Sequence, residues 1–557
     1  MKKQSLVLLL LSAMLIGTML VSCDKKETNE EKAVSETQVV EEVIPVNDAV
    51  LKTNGGPIEF FKSTDTVPGR ELYNELLFDK LIVANSALAS FKPGLAEKFE
   101  ISEDGYKITL ELRDDAYWQD DVKFGPEDVV FSIKTYLRVP KTGAEGSATF
   151  EGLVGGKEYK NGTADEVEGI KVDGNTIVLE FVEPVPVALL ALSQWPPIPE
   201  HLLKDVDPLK FQQNQFWQYP IGTGPYKIKS VKMNEYLILE RFEDYWDKTG
   251  TGNIKEIHFL PSDSDAGSNL AINAESGDID YTYTKTYSDA AAIEKMDNME
   301  VIPVDVNYVR MIWMNKFDFA DKKNPLSDLR VRQAVAYAID MDILNATLYG
   351  GSVTIADSLT AAPDWKDEGL NKYSQNIEKA KQLLKDANYD SSQVFKMVYY
   401  YNNQETIDLL VAIQSQLKEV GIKIELELIT SDIGARLWAP TVNGKSGADW
   451  YFAYGALGSL SLENVYKRFT STFSANSHTP KDTTYDAIYE NTKTFNTTDR
   501  VNAFKELATY ENENVFSIPL YYMPIFVIKS NRLNVGNMVI GPEEHCYDMR
   551  VIDWVIE

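Results

Sequence analysis

Between Ile407 and Ile429 the spacing of apolar residues changes at one glycine. Ile407, Leu410, Ile413 and Leu417 recur at intervals of three and four and share one face of an α-helix. After Gly421, the residues Ile422, Ile424, Leu426 and Leu428 alternate with polar neighbours, the period of a strand buried on one side. A helix that enters a strand within a few residues belongs to a mixed α/β fold.

The rest of the chain adds elements of both kinds. Tyr106, Ile108, Leu110 and Leu112 alternate with Lys107, Thr109, Glu111 and Arg113, which predicts a half-buried strand, and Ile177 to Phe181 reads as another. Ser327 predicts a helix cap, with Asp328 in the first turn and Val331, Ala334, Val335, Ala338 and Ile339 on the buried face. A second helix is expected from about Ile377 to Ala387, ended by Asn388 in the left-handed conformation that asparagine tolerates. Strands dominate early and helices alternate with strands later, so lobes of different character are expected.

The first 22 residues set themselves apart. Lys2 and Lys3 precede an apolar run from Leu6 to Leu20, too short and too soon followed by charge for a membrane span, which predicts a secretion signal. Ser22 leaves room for a peptidase beside Cys23, and Leu20-Val-Ser-Cys23 resembles the bacterial lipobox, whose cysteine becomes diacylated. From Asp24 to about Asp48 the chain is rich in Glu, Lys and Thr without an aromatic residue, the composition of a flexible tether. Setting aside 22 of 557 residues leaves 535, more than one hydrophobic core usually serves, so at least two lobes are expected. A net charge of −29 argues against nucleic acid and against attraction to anionic lipid, so the acyl chain is what would hold the protein at a membrane. Once Cys23 is acylated, Cys546 has no partner for an intramolecular disulfide and reads as a partly buried spectator.

Lys92-Pro-Gly-Leu-Ala-Glu97, Ile101-Ser-Glu-Asp-Gly105, Glu111-Leu-Arg113 and Pro126-Glu-Asp-Val-Val-Phe-Ser132 follow one another early in the chain. Gly156-Lys-Glu-Tyr-Lys-Asn-Gly162, Pro220-Ile-Gly-Thr-Gly-Pro-Tyr226, Asp328-Leu-Arg-Val-Arg-Gln-Ala334 with Ala338-Ile-Asp340, Glu378-Lys-Ala-Lys-Gln-Leu-Leu384 and Ile518-Pro-Leu-Tyr-Tyr522 complete the series. In this order, over almost the whole chain beyond the signal, they resemble the family 5 extracellular solute-binding proteins. These are the oligopeptide-, dipeptide- and nickel-binding subunits of ABC importers.

The resemblance implies an α/β, bilobal clam-shell of the type II periplasmic-binding-protein class, whose lobes close over a ligand and dock on a membrane permease. On that pattern residues 49–70, 199–303 and 523–557 form lobe I, 71–198 an extra subdomain of it, and 304–522 lobe II. Peptide-binding members hold the ligand as an added strand and set an aspartate against its amino terminus. The corresponding strand runs from Asp449 to Ser459, with Tyr454, Gly455 and Ala456 along the ligand. Here the sequence departs from the pattern, with Ala456-Leu-Gly-Ser-Leu-Ser-Leu462 where the family's acid belongs and Glu463 as the nearest substitute. A buried ammonium without its carboxylate costs several kcal/mol, so either another acid serves or the ligand is not an ordinary free-amino peptide. Peptide is the leading expectation. An oligosaccharide or other neutral solute, stacked on Trp118, Trp438, Trp450, Tyr454 or Tyr521, is the alternative, although core packing explains each of these aromatics equally well. Nickel is disfavoured because the strand has no histidine.

Other conspicuous residues read as architecture. Gly222-Thr-Gly224-Pro225 lacks the third glycine of a phosphate loop, and Pro225 offers no N–H to an anion, which leaves a structural turn. Asp328, Arg330 and Arg332 read as solvated residues of a helix's first turn. His201, His258, His478 and His545 have neither metal-site spacing nor a triad pattern, so no metal, cofactor or catalytic residue is expected. A secreted hydrolase or a structural lipoprotein would leave the ordered motifs unexplained. The function expected is solute capture by a lipid-anchored monomer at the outer face of the cytoplasmic membrane.

Overall fold

A computed structural model describes residues 49–557 apart from 56–57, 59–60, 64–71, 85–89, 140–143, 262–268, 459–460, 474–477 and 537–548. The signal, Cys23, the tether, Ser459, His545 and Cys546 therefore lie outside the described residues. Eleven strands form one mixed sheet. In chain order they are β1 (Ala49–Gly55), β2 (Tyr226–Lys232), β3 (Tyr236–Arg241), β4 (Ile254–Pro261), β5 (Tyr281–Thr284) and β6 (Met299–Met314). They continue with β7 (Thr354–Ile355), β8 (Val394–Tyr399), β9 (Lys423–Leu428), β10 (Phe452–Gly458) and β11 (Ser517–Ser530). The order across the sheet is β9-β8-β10-β6-β11-β5-β1-β4-β3-β2, with β7 attached to β11.

β6 and β11 span 16 and 14 residues because they serve both halves of the sheet. They pair antiparallel from Met299↔Ser530 to Asp305↔Pro524 and again from Val309↔Tyr522 to Trp313↔Ser517. Between these stretches the register slips, beside Pro524, which cannot donate to a ladder. On one side of the slip Val306, Ile525 and Val527 pack with Leu51, Phe259 and Trp554. On the other, Ile312, Met314, Ile518 and Leu520 join a core under the helices Leu329–Ala338 and Gln404–Glu419. Val309, Met311 and Trp313 enter a third core on the opposite sheet face, with Trp450, Tyr466 and Phe504. The fold is a bilobal α/β clam-shell whose lobes share one sheet.

A separate antiparallel sheet, in the order Ala96–Ile101, Lys107–Leu112, Thr176–Glu180, Ile170–Asp173, carries the helix Pro126–Arg138 on its own core of Leu110, Trp118, Ile133, Ile177 and Trp195. Both strands expected in this region are present. Asp128 of the Pro126-Glu-Asp motif ties the unit together, accepting from the Trp118 indole at 3.0 Å, Gly125 N–H at 3.1 Å and Glu200 N–H at 2.9 Å.

The period switch is a helix, Gln404–Glu419, turned by Gly421 at φ 91° into β9. The helix Ile377–Asp386 ends at Asn388 with φ 51°, as its sequence implies. The helix near Ser327 differs by one residue. Asp328 is its cap, accepting from Arg330 N–H at 2.9 Å, because Asn324 and Pro325 build a preceding 3-10 turn that takes up Ser327. Arg332 corrects the solvated reading of this cluster, being 7% exposed and donating to four backbone carbonyls. Gly222 and Gly224 form a packed turn, since a Cβ at Gly222 would lie 1.8 Å from the Leu77 carbonyl oxygen.

Candidate functional site

β10 pairs along its length with β6, but with β8 only at Phe452 and Ala453. From Tyr454 to Gly458 its second edge has no strand partner among the described residues. The Tyr400 side chain lies beside this edge, 3.4 Å from where a Gly455 Cβ would stand. Unpaired main-chain groups on a strand edge are a template for another extended chain.

Small residues on β10 let its neighbours cross it. Directly opposed residues of antiparallel strands share a face, and here Tyr308 of β6 opposes Gly458 while Arg310 opposes Ala456. Both long side chains meet Tyr401, which follows β8. The hydroxyls of Tyr308 and Tyr401 are 3.1 Å apart, and the Arg310 guanidinium lies 3.8 Å from the Tyr401 ring centre. A Cβ on Gly458 would fall 2.3 Å from Tyr308 Cδ2, so only glycine leaves the ring its path.

Beside β10 a cavity of about 280 Å³ is lined by Tyr308, Trp313, Leu437, Trp438, Trp450, Gly455 and His478, among others. Trp313 meets Trp438 edge-to-face at 5.2 Å, and His478 sits 5.2 Å from Trp438 and 4.5 Å from Trp450 between ring centres. Tyr400 overhangs the cavity, 3.4 Å from where a Gly455 Cβ would stand. Its hydroxyl donates to Tyr401 at 3.1 Å, so a chain of phenols connects the cavity to the Arg310 side.

Of the residues expected at the site, Trp438, Trp450, Tyr454, Gly455 and Ala456 line this cavity. Trp438 is half-buried and available for stacking, whereas Trp450 and Tyr454 are buried in packing. Trp118 is a correction: it is fully buried in the smaller sheet's core with its indole N–H bound to Asp128, which leaves it nothing to offer a solute. Glu463 is another, because its carboxylate is ion-paired with Arg500 and does not line the cavity. Tyr521 is 5% exposed and on β11 pairs with Arg310 of β6, its hydroxyl 3.1 Å from Tyr349 and 3.4 Å from Tyr454. His478 borders the cavity although β10 carries no histidine, yet no cluster of three or more His, Cys, Asp or Glu exists among the described residues. Sequence reasoning missed Tyr308, Arg310, Trp313, Tyr400 and Tyr401. The available signal was a single Arg inside the apolar run Val309 to Met314.

Two lobes sharing one sheet, with a solute-sized cavity beside an open strand edge, define a two-lobed binding protein. The chain belongs to the bacterial extracellular solute-binding proteins of family 5, whose middle region matches residues 90–477. That family binds solutes, and the chain is not an enzyme. It is 30% identical over 353 residues to a Brucella ovis protein named as an ABC transporter peptide-binding protein, a match covering 62% of this chain and 62% of that relative's length, less than two thirds of it. It is 24% identical over 472 residues to the oligopeptide-binding protein AppA of Bacillus subtilis, covering 81% of this chain and 80% of AppA. Among solved structures, the substrate-binding protein CtaP of Listeria monocytogenes superposes with a TM-score of 0.75 at 22% identity, covering 91% of this chain and 98% of CtaP. AppA of Bacillus subtilis in complex with a nonapeptide gives 0.69 at 20% identity, covering 92% and 99%.

Proposed function

We propose that this protein is the substrate-binding component of an ABC importer and captures a peptide-like solute by adding it as a strand to the free edge of β10. The carrying observation is that edge: five residues without a strand partner among the described residues, and an aromatic cavity beneath. The names of the Brucella ovis relative and of AppA support the same solute class. The slip between Asp305–Val309 and Tyr522–Pro524 is the hinge, so lobe II comprises about 304–522 and lobe I the flanking segments with 71–198 as its extra subdomain. Solute binding shifts the population towards the closed form that the permease reads.

Cys23 carries the lipid anchor at the outer face of the cytoplasmic membrane, and the tether to about Asp48 gives the monomer reach. Among the described residues no helix is long and apolar enough to cross a membrane. An oligosaccharide or similar neutral solute is the second reading, favoured by the half-buried faces of Trp438 and Tyr308 at the cavity. Because Trp313, Trp438 and Trp450 line the cavity, tryptophan fluorescence reports occupancy. Tripeptide, pentapeptide and nonapeptide pools, with cello- and malto-oligosaccharides alongside, are added to refolded, ligand-stripped protein. Peptide pools are expected to change fluorescence and raise Tm. A response to the sugars alone transfers the assignment to them, and no response to any pool removes the capture reading.

A further inference from the structure

In the extra subdomain, a turn over Ser102 to Gly105 joins the paired strands Ala96–Ile101 and Lys107–Leu112. Gly105 N–H donates to the Ser102 carbonyl at 2.8 Å with φ at 74°, and its neighbours Asp104 and Tyr106 are exposed, as suits a hairpin tip. Gly105 itself is buried. What covers it is Phe495, from the far part of the chain: a Cβ on Gly105 would lie 2.6 Å from Phe495 Cδ2, 2.9 Å from its Cε2 and 3.2 Å from Pro184 Cβ. Glycine is thus required twice here, by the left-handed backbone and by the ring lying against it. Beside this contact Lys493 Nζ stands 3.9 Å from Glu183 Oε1.

Phe495 lies between the helices Thr483–Glu490 and Thr497–Asn514 of lobe II. Tyr489 and Phe504, from those two helices, belong to the core that also holds Trp313 and Trp450 of the cavity wall, so this segment moves with that wall. Asn496 fixes the joint by capping the second helix, accepting from Asp499 N–H at 3.1 Å. The subdomain has a core of its own, which among the described residues takes no side chain from 304–522. The two bodies therefore meet at a surface, and such a contact can part without unfolding either of them. The half-buried ring returns to water when they part, which gives the contact its strength, while the exposed ion pair adds direction more than energy.

We infer that Phe495 and Lys493 of lobe II form a latch on Gly105, Pro184 and Glu183 of the extra subdomain, and that this latch fastens the closed form and slows release of the solute. The inference rests on the capture reading, because a latch matters only where lobes part. None of its five residues lines the cavity, so it acts without touching the solute. A contact made only in the closed form raises the population of that form, and it does so by the same factor whatever solute is held. The extra subdomain thereby gains a part in holding the solute although its own core is separate from the site.

The test compares wild type with Phe495→Ala, following release of the tripeptide, pentapeptide and nonapeptide pools by tryptophan fluorescence and the ligand-free shape by small-angle scattering. Phe495→Ala is expected to release peptide about three- to tenfold faster, by the same factor for every pool that binds, with little change in ligand-free Tm. Lys493→Glu, which sets two acids against each other, is expected to give a smaller change in the same direction, and the exchange of Lys493→Glu with Glu183→Lys to reverse it. Equal release from wild type and Phe495→Ala overturns the latch and leaves solute capture standing, and so does a lower Tm with release unchanged, since the ring then only packs. A change confined to one pool also overturns it, because Phe495 then touches the solute. If no pool binds the wild type, the capture reading falls, and scattering decides the latch: a larger radius of gyration for Phe495→Ala supports it and an equal one overturns it. Should Phe495→Ala fail to fold, the charge exchange decides, and failure to restore the wild-type release rate overturns the proposal.

Discussion

Arg332 is a buried guanidinium and Arg310 a half-buried one in the same half of the molecule, and their surroundings are opposite. Arg332 donates to the carbonyls of Leu326 at 2.8 Å, Ser327 at 3.2 Å, Asn514 at 2.8 Å and Val515 at 3.1 Å. It clamps the joint where the helix Thr497–Asn514 turns into β11 through Val515, whose φ of 46° is strained for a β-branched residue. The joint is reinforced by Glu511, which accepts from Ser517 N–H at 3.1 Å and Oγ at 2.6 Å, and by Lys316, which donates to Met314 and Phe516 carbonyls at 2.9 and 2.7 Å. Around Arg310 there is instead a ring of phenols and two vacant donors. Arg332 saturates its donors within the fold, whereas Arg310 leaves Nε and Nη1 without an acceptor.

The largest effect should come from breaking the saturated side. Arg332→Met strands four carbonyls and should cost about 3–5 kcal/mol in urea unfolding, so a loss under about 1 kcal/mol would erase the contrast. A second effect concerns pH. Burial pushes the Glu511 carboxyl up to about 7 from its ordinary 4.5, against hydrogen bonds from Ser517 and the charge of Lys316. The folded state therefore binds more protons than the unfolded between those values, so stability is fullest below about 4.5 and declines as pH rises to about 7. Glu511→Gln should flatten that decline, by up to about 3 kcal/mol across the window, read as Tm against pH.

On the open side the effects should be smaller and should appear in binding. Gly458→Ala forces the Tyr308 ring off its path across β10, with a cost of about 1–3 kcal/mol and weaker peptide capture. Unchanged capture in this variant would separate Tyr308 from the site. Tyr400→Phe removes the hydroxyl that donates to Tyr401 beside the open edge and should change stability by less than about 1 kcal/mol while leaving peptide binding unchanged or tighter. Weakened binding would show that the tyrosine contacts the solute itself.

Much of the fold was legible along the chain because it depends on local period and punctuation. The switch at Gly421, the stop at Asn388 and the strand at Lys107–Leu112 all follow from patterns within one element. The candidate strand β10 was also found, on a resemblance of motifs, together with Trp438, Trp450 and the Tyr454-Gly-Ala456 run that line the cavity. Trp118 and Glu463 were misplaced because burial partners from elsewhere in the chain, Asp128 and Arg500, decide whether such a side chain is free. Arg332 was misread for the same reason, since two of its acceptors lie more than 180 residues away.

By itself the sequence determined the alternation of helices and strands, the need for more than one core and the membership of a solute-binding family. Those depend on hydrophobic period, length and ordered motifs, which neighbouring residues carry. Only the tertiary structure decided which edge of β10 stays open, and that Tyr308 and Arg310 of β6 meet Tyr401. Sheet register and the passage of one strand's side chains over another's small residues are pairwise facts between distant segments. So is the saturation of Arg332 against the vacancy at Arg310, because a buried charge is judged by what the rest of the fold brings to it.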